Sequence, residues 1–311
     1  MLRLSLSCGV YDRTLPLLLG DVKPDGIDLD VGPIELGRSM GSSDADVFEM
    51  PIVGTIMQRA RDDTLRALPI FPKRTFFHQL VLTRVDLDVT GLGDLRGRRV
   101  GVMNWYQHAM GVWLRGHLLE AHAIQAEEIR WVTDRPNAFP MPESSRVDIQ
   151  YTPQGATLLE LLLQGEIDAL IHEHAHEFLG DHPSLRRLVA DHRDEEVRYY
   201  RATGCFPINH VLAVRRTLVE AEPWIAGSLL RAFEESKARA TELMRRNNAV
   251  VSAPWIADLL EAQERDLGPD PFAYGLYRTR AELERLVRYL VEQELIPAPI
   301  PIEAIFVESS A

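Results

Sequence analysis

The sequence predicts an α/β protein built as two lobes. Short apolar runs alternate with helix-like segments from the N-terminus to about residue 171, the rhythm of sheets flanked by helices. A chain of 311 residues has the length of about two domains. Two strand-like runs, one ending near Arg84 and one starting near Ile208, bracket a middle region with its own strand and helix pattern, and neither adjoins a low-complexity linker. Lobe I is therefore expected over 1–84 and 208–311 and lobe II over 85–207. Two hinge crossings without a flexible linker predict a ligand site in a central cleft.

The elements follow in order. Leu2 to Ser7 alternate as a strand, and Gly9 ends them. Tyr11-Asp12-Arg13-Thr14 is a turn before a short apolar helix at Leu15 to Leu19, and Pro24-Asp25-Gly26 turns into the alternating Ile27, Leu29 and Val31. Ala45 to Met50 is an apolar run carrying an acid, Ile52 to Arg61 reads as helix, and Leu68 to Phe71 as a buried strand. His78 to Thr83 reads as a strand. Val100 to Val102 leads through Asn104, a candidate N-cap, into an apolar-periodic segment to about Ala121. After a proline-rich loop, Thr157 to Leu163 predicts a helix and Ile167 to Ile171 a buried strand. An aromatic turn over Arg198 to Pro207 precedes a strand at His210 to Val214. Three helices are expected beyond it, from Trp224 to about Asn247, Trp255 to Leu267 and Arg280 to Glu294.

Composition removes several functions. The formal charge of −12 offers nothing to neutralise phosphates, against a general nucleic-acid binder or a protein that docks on anionic lipid. Two cysteines, Cys8 and Cys205, cannot build a disulfide framework. No run approaches the roughly 18 apolar residues of a membrane helix, and the opening MLRLSLSCGVYDRT lacks a signal-peptide core, so a cytoplasmic protein is expected. Neither a Walker A loop nor a G-x-G-x-x-G fingerprint occurs, leaving ATP, NAD and flavin unsupported as nucleotide cofactors.

Several stretches look familiar together. They are Cys8-Gly9-Val10-Tyr11-Asp12-Arg13-Thr14, Val22-Lys23-Pro24-Asp25-Gly26-Ile27-Asp28-Leu29, Ala45-Asp46-Val47-Phe48-Glu49-Met50 and Phe71-Pro72-Lys73-Arg74-Thr75-Phe76-Phe77-His78. Further on come Gly165-Glu166-Ile167-Asp168-Ala169-Leu170-Ile171 and Tyr199-Tyr200-Arg201-Ala202-Thr203-Gly204-Cys205-Phe206-Pro207-Ile208-Asn209-His210. In this order the chain resembles the 4,5-dihydroxyphthalate decarboxylase family. The resemblance implies a two-lobed type II periplasmic-binding-protein-like fold and a carbon–carbon lyase acting on a hydroxylated aromatic or heteroaromatic carboxylic acid. Two departures stand out. The family reads Arg-His-Ser where this chain has Phe77-His78-Gln79, and a segment like Ser-Ala-Arg-Pro-Pro where it has His172-Glu173-His174-Ala175-His176-Glu177. Two lost cations imply a less anionic substrate than a phthalate, or different chemistry.

The candidate residues carry distinct chemistry. His78 and His210, which match histidines of the family pattern, are candidates for proton transfer, as is Glu49 at the end of its apolar run. Tyr11, Asp12 and Arg13 follow the first strand, where Arg13 suits a carboxylate and Asp12 is equally suited to pairing with it. Arg74 is a second candidate anion binder, and Trp105 and Tyr106 are candidates to stack on an aromatic ring. His172, His174 and His176 share one face in extended backbone. They are candidate ligands for a divalent transition metal such as zinc or iron, a metal-assisted reaction being one reading and a solvated polar turn the other. The expected partner is a small aromatic acid, with a second copy of the chain a further candidate. The competing readings are a solute-binding protein without catalysis and a metal-dependent enzyme of other chemistry on the same scaffold.

Overall fold

The computed structural model describes residues 1–32, 44–246 and 251–307. The chain divides into two compact units. The first comprises Met1–Arg74, Ile208–Leu283 and Ile300–Ala311, the second Thr75–Pro207 and Glu284–Pro299. Among the described residues the strands, in chain order, are β1 (Leu2–Ser7), β2 (Ile27–Asp30), β3 (Val47–Pro51), β4 (Leu65–Leu68), β5 (Val81–Arg84), β6 (Arg99–Val102), β7 (Arg130–Thr133), β8 (Ile149–Tyr151), β9 (Ala169–Ile171), β10 (Leu185–Arg187) and β11 (His210–Arg215). No helix among the described residues is long and apolar enough to cross a membrane.

The sheet of the first unit has the order β2-β1-β3-β11-β4. β1 runs parallel to β2 and β3, whereas β11 lies antiparallel to β3 and β4, pairing Leu212 with Glu49 and His210 with Pro51. Alternation in β1 buries Leu4 and Leu6, and Ser5 between them binds the Asp46 carboxylate through its N–H at 2.8 Å and its hydroxyl at 2.7 Å. β11 does not alternate. Val211, Leu212, Ala213 and Val214 are all buried, as a central strand covered on both faces requires. The sheet therefore presents the first residue of β11, His210, opposite the far end of β3.

The sheet of the second unit has the order β10-β5-β9-β6-β7-β8, in which β5 alone runs against its two neighbours. Its helix Leu158–Gln164 is fully specified locally. The Thr157 hydroxyl accepts the Glu160 N–H at 3.2 Å, and the Glu160 carboxylate accepts the Thr157 N–H at 2.8 Å. Gly165 closes the helix at φ 78°, where a side chain would be strained. Leu158, Leu161 and Leu162 then pack on Ile167 and Leu170.

Several details depart from the sequence reading, among them the strands expected at Leu68 to Phe71 and His78 to Thr83, which run over Leu65–Leu68 and Val81–Arg84. The chain leaves the first unit at 74/75 rather than near 84, because Val81–Arg84 pairs with β9 and β10. Residues 284–299 group with the second unit, where Tyr289 packs edge-on to Trp113 at 5.7 Å and Gln293 accepts the Arg115 Nε–H at 2.7 Å. Asn104 caps nothing. It adopts φ 64° within a turn, and the helix begins at Ala109. The first part of the stretch expected as an aromatic turn, Arg198 to Thr203, is the end of a helix, His192–Thr203, closed by Gly204 at φ 68°. Its charged first half hid the buried stripe of Glu196 and Tyr199.

Candidate active site

Glu49 is completely buried on β3, where an ionised carboxylate without partners costs several kcal/mol. Three donors converge on it. The Gly9 N–H reaches Oε2 at 2.7 Å, and the Tyr11 hydroxyl donates to Oε1 at 2.7 Å. His210 Nδ1 lies 2.6 Å from the same Oε1. A carboxylate only accepts, so Nδ1 carries a hydrogen toward it, and Nε2 is the ring nitrogen turned away from Glu49. The fold makes this geometry. β1 delivers Gly9 and Tyr11 just beyond its end, and β11 enters the sheet at His210. Burial first, and then the Glu49 carboxylate, push the Tyr11 phenol well above its ordinary range, so it stays a donor.

The network brings together three of the residues expected from sequence, Tyr11, Glu49 and His210. Arg13 stands beside it. Its guanidinium lies 4.5 Å from the centre of the Tyr11 ring and 4.4 Å from that of Phe272. Its Nε and a terminal nitrogen both donate to the Pro72 carbonyl, and the other terminal nitrogen binds Asp12 at 2.9 Å. Arg13 thus braces Tyr11, and Asp12, half-exposed, pairs with Arg13. Arg74 is committed elsewhere. One of its terminal nitrogens donates to both Glu282 carboxylate oxygens, at 2.9 and 3.1 Å, in a buried ion pair, and the other donates to the Ala273 carbonyl.

The remaining candidates lie in the second unit. Tyr106 is fully buried with the Arg115 guanidinium 3.6 Å from its ring centre, so that face is already taken. Trp105 is half-buried, edge-on to His108 at 6.4 Å. His78 is fully buried among rings. It stacks on Phe77 at 4.1 Å and meets His117 and Tyr199 edge-on, each at 5.4 Å. Neither His78 ring nitrogen has a hydrogen-bond partner among the described residues. Burial, then the neighbouring His117 and His192, push its pKa down to about 3, and the ring is neutral at ordinary pH.

His172, His174 and His176 are split by the start of the helix Ala175–Asp181. His172 is half-buried against Phe178, with ring centres 4.7 Å apart, and its Nδ1 accepts the His174 N–H at 3.1 Å. His174 turns to Glu177 at 2.9 Å, and His176 is exposed. Among the described residues no three His, Cys, Asp or Glu side chains are arranged to hold a metal ion. The three histidines therefore do not come together as a ligand set in this arrangement.

Sequence reasoning missed two contributors. Gly9 serves through its backbone N–H, which no side-chain pattern reveals. Phe272 meets Arg13 from 259 positions away, and only the fold brings it there.

No family model matches the chain. It is similar over 99% of its length to the periplasmic aliphatic sulphonate binding protein of Escherichia coli, at a TM-score of 0.57 and 13% identity, with 98% of that chain covered. It is likewise similar over 98% of its length to the desulfurization enzyme DSZB, at a TM-score of 0.53 and 19% identity, with 96% of that chain covered. These likenesses define the class, an α/β protein of the periplasmic-binding-protein fold. Among curated proteins the chain is 35% identical over 301 residues to a 4,5-dihydroxyphthalate decarboxylase of Comamonas testosteroni, covering 92% of this chain and 90% of that one. It is 32% identical over 213 residues to the protein of the same name from Pseudomonas putida, covering 65% and 82%. The chain belongs to the 4,5-dihydroxyphthalate decarboxylase family and is an enzyme of the carbon–carbon lyase class.

Proposed function

We propose that the chain removes CO₂ from an aromatic or heteroaromatic carboxylic acid bearing a ring hydroxyl, using the Tyr11–Glu49–His210 network to move the proton. The observation that carries this reading is the buried Glu49 carboxylate accepting from His210 Nδ1 at 2.6 Å, next to two further donors.

The chemistry sets what the residues must do. The ring hydroxyl pushes electron density toward the carbon that bears the carboxylate. That carbon takes a proton from His210 Nε2, the carbon–carboxylate bond breaks, and its electron pair restores the aromatic ring as CO₂ departs. The balance is one acid anion and one proton consumed for one arene and one CO₂, and His210 regains its proton from solvent. Glu49 holds the imidazole in the tautomer that presents Nε2 and stabilises the imidazolium, as a buried carboxylate does for a catalytic histidine. Tyr11 and Gly9 fix the carboxylate.

The reading is tested by measuring CO₂ release from 4,5-dihydroxyphthalate and from hydroxylated benzoates with a single carboxylate. Release of one CO₂ per acid consumed is expected. Phe77 and the His172–Glu177 segment stand where the family carries arginines, and on that basis the monocarboxylates turn over faster. Tight binding across the panel with no CO₂ released would sink the proposal in favour of ligand carriage.

A further inference from the structure

Tyr11 reaches Glu49 from two residues beyond Gly9, and the chain leaves no room between them for a side chain. A Cβ at position 9 would lie 2.6 Å from Tyr11 Cζ and 2.7 Å from both its Cε2 and its hydroxyl oxygen, well inside van der Waals contact. The φ of Gly9 is not positive, so the backbone conformation does not demand glycine. The close approach does. The same residue sends its N–H to Glu49 Oε2 while Tyr11 donates to Oε1. The Arg13 guanidinium lies over the Tyr11 ring and is itself tied to the Pro72 carbonyl.

We infer that Gly9 is a positioning residue of the proton-transfer network, acting through Tyr11. The inference rests on the decarboxylase reading for its catalytic meaning, while its geometric content stands apart from it. An added methyl group either pushes the phenol off Glu49 or drags the Gly9 N–H away from it. In both cases Glu49 loses a donor and its hold on His210 changes.

The test compares Gly9→Ala, Tyr11→Phe, Tyr11→Ala and Gly9→Ala/Tyr11→Ala with the parent protein. The readouts are the ¹⁵N and ¹H resonances of the His210 ring, assigned with His210→Gln, alongside kcat and KM. Gly9→Ala is expected to shift the His210 resonances in the same direction as Tyr11→Phe. It is expected to lower kcat on the order of 10²-fold, the loss that a misplacement of about 1 Å produces, with KM little changed. In the Tyr11→Ala background the added methyl group should change neither readout. Parent-like resonances and kcat in Gly9→Ala, or the same loss with and without Tyr11, would overturn the inference. If Gly9→Ala does not fold, the double variant must recover a cooperative melt, because it removes the overlap, and failure to recover overturns it equally. If no hydroxylated acid is turned over by the parent protein, the decarboxylase reading fails, and the His210 resonances still decide the role of Gly9.

Discussion

Two buried histidines in this molecule stand in opposite surroundings. His210 enters the first unit's sheet beside a carboxylate that accepts from its Nδ1 at 2.6 Å. His78 lies in the second unit inside a cage of Phe77, His117 and Tyr199, with no hydrogen-bond partner on either nitrogen among the described residues. His210 opens β11 and His78 lies just before β5. Burial alone therefore does not decide what a histidine's ring nitrogens meet. A neighbouring carboxylate fixes the tautomer of one ring, whereas burial in an aromatic cage keeps the other neutral.

The largest effect expected to sharpen this comparison is acid sensitivity in the second unit. The pKa of His78 is pushed down to about 3 and that of His117 to about 4, in both cases by burial first and then by a neighbouring histidine, from an ordinary 6.5. Between those values and 6.5 the unfolded chain binds protons that the folded chain refuses. The stability is present above pH 6.5 and is lost as the pH falls through this window. Glu196 opposes the loss, since burial pushes its carboxyl up to about 7 from 4.5 and the folded form takes up that proton first. His78→Leu isolates one contribution. Relative to the parent, its urea-unfolding free energy should rise by about 1.4 kcal/mol for each pH unit below 6.5. A difference that stays constant from pH 7.5 to 4.5 would mean that His78 is not held neutral.

A much smaller effect is expected at His172, His174 and His176. One is half-buried, and the others make a surface pair or face solvent. The triple His172→Ala/His174→Ala/His176→Ala variant should keep its stability within about 1 kcal/mol, as surface substitutions do, and its CO₂ release near the parent rate. Elemental analysis of both proteins accompanies the rates. A stoichiometric metal in the parent that disappears from the variant together with activity would transfer the chemistry to this loop.

Much of the fold was legible because local chemistry specifies it. The alternation of Leu2 to Ser7, the apolar block from Val211 to Val214 and the capping pair Thr157 and Glu160 each determine their own element. The helix His192–Thr203 was not legible, since its acidic first turn masks a stripe that becomes apolar only at Tyr199. Glu49 stood out as an acid in an apolar run, and His210 as a polar residue opening one. Their meeting did not, because 161 positions separate them and only the antiparallel entry of β11 beside β3 joins them. Arg74 misled for the same reason. Its counter-ion, Glu282, lies 208 positions away, and a guanidinium neutralised by a buried carboxylate is already committed to the fold. Tyr106 is the local version of that error, since Arg115, nine positions on, covers the ring and binds its carbonyl at 2.7 Å.

The central claim is that Glu49 holds and charges His210 for proton transfer. It is tested most directly by the rate of CO₂ release from a hydroxylated aromatic acid with Glu49→Gln beside the parent protein, each checked for a cooperative thermal melt. Glutamine keeps the size of the side chain and an acceptor for the neighbouring donors but removes the charge that stabilises the imidazolium. A folded Glu49→Gln protein slower by about 10² to 10⁴-fold, the range expected for loss of positioned acid–base catalysis, is the predicted result. A folded variant that releases CO₂ as fast as the parent would contradict the account.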